Sequence, residues 1–272
     1  MPLLVSEAIV LHAFDYLESS RIVRLVTRDA GLRSALARGA RKSRRRFGSG
    51  LDLFAQGTAH IHTKPGRDLD ILSGFEDVHL RTHIGTDLGR FTGAAAIAEI
   101  ALFFGRDGAD AELFDAVAAA FDALATPSDR DAREITLAGA WRIVAALGFA
   151  PTLRECAECG TSLGDVPSAL FSHAAGGTLC AKCASLTAGG RKLPASASRA
   201  IESWIADSSG HPEVSEGSAR IETLSDAEAR SHQRLLRQFL AYHLHDGRAL
   251  RAFDLWERSD NPEPAPVGAS SA

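Results

Sequence analysis

The chain reads as an α+β protein of more than one domain. A small five-stranded β-barrel stands in front, and an α-helical domain with an inserted four-cysteine module follows. Three observations predict this. The first 80 residues break into short β-branched runs separated by turn residues. From about residue 83 the texture changes to long Ala-rich runs with helical spacing, and two Cys-x2-Cys pairs interrupt them. At 272 residues, 45% hydrophobic and 24% charged, the chain is long enough for two cores and is not of a disordered composition.

The strand segments are "EAIVLHAF", "SRIVRLVT", "GLRSALARGA", "GTAHIHT" and "LDILSGFED". Each is bounded by Gly, Asp, Ser or Pro, and each shows partial period-2 alternation. "TRDAGLRS" is a hairpin-like turn centred on Ala30 and Gly31, and "KPGRD" is another turn. Five such strands with Gly at the corners suggest a small closed or partly open barrel over residues 1–80. The pattern alone does not separate an oligonucleotide-binding barrel from an SH3-like one.

The helical domain is expected over residues 81–258. "FTGAAAIAEIALFF", "ELFDAVAAAFDALA" and "DAREITLAGAWRIVAALGF" place apolar residues at helical spacing. Gly105 to Gly108 and Thr126-Pro127-Ser128-Asp129 break the runs. After the cysteine segment, 153–186, come "ASASRAIESWIAD" and "SDAEARSHQRLLRQFLAYHLHDG". In the latter, Ser225 and Glu228 have capping-box spacing. "ALRAFDLWER" is expected to pack back on the bundle, and the tail, 259–272, lacks core-forming residues and is expected to be disordered.

Cys156 and Cys159 form one pair and Cys180 and Cys183 the other, with twenty residues between them. Each pair can make a knuckle in which two sulfurs converge, and two knuckles complete a tetrahedron around Zn²⁺. Gly160 and Gly176-Gly177 stand where a positive φ is needed. Four thiolates leave no open position for water, so such a zinc is structural. Two disulfides, an iron–sulfur cluster or a redox pair are the rival readings. A redox pair expects a βαβ context that neither knuckle has. His173 lies in the segment but is a bystander where four thiols are available.

Net charge is −4, yet it is unevenly distributed. Residues 1–80 carry 12 Lys/Arg against 9 Asp/Glu, and the remainder 18 against 25. From Arg33 to Arg46 seven basic residues occur with no acid. The stretch "RGARKSRRRFGSG" falls between two strands and therefore on a loop. Arg38, Arg41, Lys42, Arg44, Arg45 and Arg46 have the density to neutralise successive phosphates, which supplies affinity without sequence preference. Phe47 and the strand aromatics are candidates for base stacking. The rival is a zinc-ribbon adaptor whose basic loop meets an acidic protein, with no direct DNA role.

Other features carry less. His60 and His62 share a strand face without a ligand set, and His243 and His245 end a helix where they complement its dipole. Trp141, Trp204 and Trp256 sit on apolar helical faces and are expected in the core. Asp68 and Asp70 flank a turn without a partner motif. No phosphate loop, dinucleotide fingerprint or Ser/His/Asp arrangement is present, and nothing argues for an enzyme. No apolar run spans a bilayer, and the opening segment lacks a basic leader, so the cytoplasm is the expected compartment.

The order of parts resembles the RecO family of bacterial recombination mediators. The resemblance spans roughly residues 5–257. It rests on "EAIVLHAFDYLESSRIVRLVTRDAGLRSALARGARKSRRRFGSGLDLF" and on "CAECG" followed by "GGTLCAKC". It implies an N-terminal OB-fold barrel, a helical domain and a zinc module inserted in the latter. It also implies binding of single- and double-stranded DNA and annealing of complementary strands without ATP. Action with RecR to load the RecA recombinase onto DNA coated by single-stranded DNA-binding protein is implied too, as is a nucleoid-associated place in the cell. Carried over by position, the six basic residues are phosphate contacts and the four cysteines are zinc ligands. Three consecutive arginines after Ser43 and the lack of a Pro in "LDLF" are departures from many relatives. The resemblance places a site for the acidic tail of single-stranded DNA-binding protein on the helical domain without fixing its residues; Arg234 and Arg237, beside Leu235, Leu236 and Phe239, are candidates.

Overall fold

The computed structural model describes residues 2–42, 47, 51–63, 66, 68–127, 131–206, 224–243 and 249–259. Five strands open it: β1 (Leu3–Tyr16), β2 (Ser20–Thr27), β3 (Gly31–Ala37), β4 (Gln56–His62) and β5 (Asp70–His79). They close into a barrel in the order β1-β2-β3-β5-β4, with β4 returning to β1 and with β3 and β5 parallel. This is an OB-fold, which resolves the choice left open above. β1 is longer than the run "EAIVLHAF" because it serves two partners. Its first half pairs with β4 and the stretch from Ala8 onward with β2, and a bulge between Val10 and His12 shifts the register of the β2 pairing.

The unbroken apolar run in β1 has a physical cause. Ala8 and Val10 point inward with Val23, Leu25 and Ala35, whereas Ile9, Leu11 and Val26 face outward against the helical domain. A strand covered on both faces loses its polar alternation. Phe47 corrects the stacking expectation. It is 1% exposed and belongs to the barrel core, so its ring is unavailable to a base.

Behind the barrel, a 3-10 turn (Thr82–Thr86) leads into α1 (Leu88–Phe104), α2 (Ala111–Ala125) and α3 (Ala132–Ala146). Asp87, Asp110 and Asp131 cap them, each carboxylate accepting a backbone N–H of the first turn at 2.8–2.9 Å. α1 buries residues on nearly every side, from Thr92 to Ala101, and is the central helix of the bundle. A three-stranded sheet follows, from β6 (Ser168–Ser172), β7 (Gly177–Leu179) and β8 (Arg191–Pro194), with the single turn α4 (Ala181–Ala184) after β7. β8 lies beyond residue 186, so the sheet reaches past the cysteine segment as read from sequence.

Three helices complete the domain: α5 (Ala195–Ala206), α6 (Asp226–His243) and α7 (Arg251–Ser259). The capping box forms as its spacing requires. Ser225 N donates to Glu228 Oε2 at 2.9 Å, and Glu228 N donates to Ser225 Oγ at 3.4 Å. α7 packs back along α1 as expected. Glu99 of α1 accepts the N–H groups of Ala252 and Phe253, both at 3.0 Å, and so caps α7 from another element. Trp141, Trp204 and Trp256 are core residues. His243 sits in an aromatic cluster with Phe149, Phe239 and Tyr242 as well as in the last turn of α6. His245, Ser128, Asp129, most of "KPGRD" and the tail from residue 260 lie outside the described residues.

The barrel and the helices share a core and a set of polar clasps. Gly31 has a φ of +64°, and a Cβ there would lie 2.2 Å from Gly108 O and 2.3 Å from Arg106 O. That close approach lets Leu32 N donate to Arg106 O and Gly108 N to Ala30 O, both at 3.0 Å. Arg28 bridges Glu7 and Asp115 at 2.7 and 2.8 Å, its guanidinium 4.5 Å from the Phe114 ring centre. Arg81 is the deepest clasp, its side chain 1% exposed. It donates to Asp122 Oδ1 (2.7 Å), Phe54 O (2.9 Å) and Gln56 Oε1 (2.8 Å). Replacing Arg81 by Met removes all three and leaves the Phe54 carbonyl unpaired. The expected cost is about 2–4 kcal/mol, read as a lower urea midpoint at unchanged slope. A change below about 0.5 kcal/mol, the level of an ordinary surface substitution, would remove Arg81 as a clasp.

Candidate nucleic-acid interface and metal centre

The four cysteines come together. Their sulfur atoms all lie within 4.8 Å of one another, and Cys159 Sγ and Cys180 Sγ are 3.8 Å apart. Backbone geometry builds each half. In the first knuckle Gly160 N donates to Cys156 O at 2.8 Å, and Gly160 takes a φ of +69° to close the turn. Cys156 N and Ala157 N donate to Thr161 O and Thr178 O, which ties this knuckle to the strand leading into the second. Cys180 caps α4, its Sγ accepting from Cys183 N at 3.5 Å.

The donor set fits a metal ion. Four sulfurs about 2.3 Å from a common centre lie about 3.8 Å apart in a tetrahedron, the separation observed for Cys159 and Cys180. The thiols are free, and no disulfide links them. Their acidities are divided. Backbone N–H groups, that of Cys180 first, pull the Cys156 thiol down to about 6. The Thr161 hydroxyl leads the lowering of Cys159. Cys183 is pushed up to about 12, first through its contact with the Cys180 sulfur and then with that of Cys159. Four thiolates this close repel one another, and a central cation would offset that charge. His173 takes no part; its Nε2 meets Gln238 Oε1 at 3.2 Å. Phe171 and Leu193 of the sheet join the helical core. The module is therefore anchored by apolar contacts at its base and by sulfur at its tip.

The basic segment starts at the rim of the barrel. Arg38, Arg41 and Lys42 are exposed in the turn after β3, which Lys42 N closes on Gly39 O at 3.0 Å. Arg41 is held by Asp15 (3.7 Å) and by the Glu18 carbonyl (3.4 Å), so part of its charge is offset within the chain. Arg44, Arg45 and Arg46 lie outside the described residues. Asp70 is buried and lies 4.0 Å from Arg33, and His60 lies 3.7 Å from Glu76.

Of the acidic-tail candidates on α6, Arg234 is exposed and the three apolar residues are not. Leu235, Leu236 and Phe239 are at most 2% exposed and face the core. Arg237 is committed to Asp254 (2.6 Å) and Glu257 (2.7 Å) of α7. The helical spacing of these three residues marks a core stripe. Sequence reasoning also missed the joint between barrel and helices, for which "HLRTH" and "TRDAG" carry no distinctive pattern. The exposed aromatics of β1 were noted only as a group; the alternation in "HAFDY" was the available signal.

A closed OB-fold barrel with a basic rim, fused to a helical domain that holds a four-thiol cluster, defines the class: an OB-fold protein with a thiol cluster able to hold a metal ion. The comparisons sharpen it. The family model described as recombination protein O N terminal matches residues 1–81, and that described as recombination protein O C terminal matches residues 85–251. A DNA repair protein RecO from Anaeromyxobacter sp. (strain K) is 38% identical over 247 residues, covering 90% of this chain and 92% of that protein. One from Syntrophotalea carbinolica is 34% identical over 179 residues, covering 65% and 68%. The chain belongs to the RecO family of DNA repair proteins.

Proposed function

We propose that the chain is a recombination mediator. It binds single- and double-stranded DNA, anneals complementary strands without ATP and, with RecR, helps load RecA onto DNA coated by single-stranded DNA-binding protein. The observation that carries this reading is the exposed basic turn at the rim of an OB-fold barrel in a chain of this family. Arg38, Arg41, Lys42, Arg44, Arg45 and Arg46 are the phosphate contacts. By neutralising phosphates they lower the repulsion between two strands, and pairing then proceeds downhill on base stacking and hydrogen bonding. No nucleotide is consumed, and the chain performs no catalysis of its own.

Cys156, Cys159, Cys180 and Cys183 hold one structural Zn²⁺, which supplies folding energy to the module. No helix among the described residues is long and apolar enough to cross a membrane, in keeping with work at the nucleoid in the cytoplasm. The test is an annealing assay on complementary strands pre-coated with single-stranded DNA-binding protein, without nucleotide. Annealing faster than for the coated strands alone is expected. No acceleration, together with no binding to bare strands, would favour the adaptor reading.

A further inference from the structure

The outer face of β1 carries a column of rings. His12, Phe14 and Tyr16 occupy every second position along the strand, all three exposed, Phe14 at 44% and Tyr16 at 41%, and the exposed Asp15 between the last two is paired with Arg21 and Arg41. His12 and Phe14 lie with ring centres 5.7 Å apart. Across the sheet, His12 pairs with Arg24 and Phe14 with Ile22, which in turn pairs with Leu36 of β3. At its inner end the column opens into a cleft of about 520 Å³ between barrel and helices. Leu53 and Phe103 line that cleft, with Arg24 and Arg251 beside them. The acid in its lining, Glu99, is occupied in capping α7.

A contiguous patch of exposed rings, unlike scattered ones, commonly marks a surface that a partner or ligand covers. Here the chemistry of the surroundings names the occupant. Rings that run into a cleft lined by the guanidinium groups of Arg24 and Arg251 match a polyanion that also offers flat apolar faces, which is a nucleic-acid strand. Spacing selects its form. Residues on one face of a strand repeat about every 6.8 Å, roughly twice the 3.4 Å rise of a stacked strand. A polynucleotide laid along β1 is therefore stretched and its bases unstacked from one another. A duplex cannot comply, because its bases are already stacked and paired.

We propose that His12, Phe14 and Tyr16 form a stacking track for unpaired bases, continued by the cleft between barrel and helices, and that this track distinguishes single strands from duplex. It rests on the DNA-binding reading above and adds the element that phosphate contacts cannot supply.

The test uses the full-length protein and fluorescence anisotropy with a labelled oligothymidylate and a labelled mixed-sequence duplex. Phe14→Ala and Tyr16→Ala should each weaken single-strand binding roughly five- to hundredfold. Duplex binding should stay within about twofold, and the salt slope should not change, because no phosphate contact is lost. Phe14→Tyr and Tyr16→Phe should keep single-strand affinity, and Tyr16 fluorescence should be quenched by oligothymidylate. Three results would overturn the proposal: unchanged single-strand binding in the Ala variants, equal losses on both substrates, or displacement of the strand by poly-glutamate with the same dependence on Phe14 and Tyr16. Failure of the unaltered protein to bind either substrate would instead remove the DNA-binding reading itself.

Discussion

Converting Arg44, Arg45 and Arg46 together to Ala should weaken DNA binding by two to three orders of magnitude at about 0.1 M salt, equally for unrelated sequences. Each phosphate contact contributes roughly 0.9 to the slope of log affinity against log salt. Three lost contacts therefore flatten that slope by about 2.7, and by the same reasoning lower affinity by a similar number of decades relative to molar salt. Arg41→Ala should do less, since Asp15 and the Glu18 carbonyl already engage its guanidinium. Salt titrations of the variants with two unrelated oligonucleotides read both quantities. An unchanged slope in the triple variant would place the phosphate contacts elsewhere on the molecule.

The second large effect concerns the thiol cluster. Cys156 is buried, and Gly160, Thr161 and Thr178 organise the knuckle around it. Cys156→Ser should bring bound zinc from about one per chain to nearly none. Structural zinc contributes about 10–16 kcal/mol of folding free energy to small modules, and the tip of this one has few apolar contacts to take its place. Proteolytic cleavage within residues 152–190 should follow, as should a lower melting temperature, because Phe171 and Leu193 link the sheet to the helical core. Chelation of the unaltered protein should reproduce both effects. DNA binding by the barrel should persist, since the clasps that hold it to the helices do not involve the module. A Cys156→Ser protein with full metal content and unchanged melting would show that the sulfurs do not hold the ion.

Much of this architecture was legible in the sequence because local chemistry and global fold agree there. The strand segments announced themselves by alternation and by Gly31 at a turn, and the helices by apolar residues at helical spacing between the breaks at Gly105 to Gly108 and Thr126 to Asp129. The Cys-x2-Cys pairs could be joined on paper, since two knuckles of that spacing have few other uses in a reduced chain. Phe47 was misread because a ring beside a basic run looks exposed until barrel closure turns it inward. Leu235, Leu236 and Phe239 were misread for the opposite reason, their apolar stripe being claimed by the core. Arg81 and Arg28 could not be found at all. Their importance lies in acceptors distant in sequence, on residues 54, 56, 115 and 122, which only the docking of barrel on helices brings within reach.

The central claim is that the arginine-rich segment following β3 grips a polynucleotide. It is tested most directly by titrating the unaltered, full-length protein with unrelated labelled oligonucleotides at a series of salt concentrations. The expected result is binding to every sequence, with log affinity falling linearly as log salt rises, at a slope near −0.9 for each phosphate engaged on duplex and near −0.7 on single strands. Absence of binding at low salt, or affinity indifferent to salt, would contradict it.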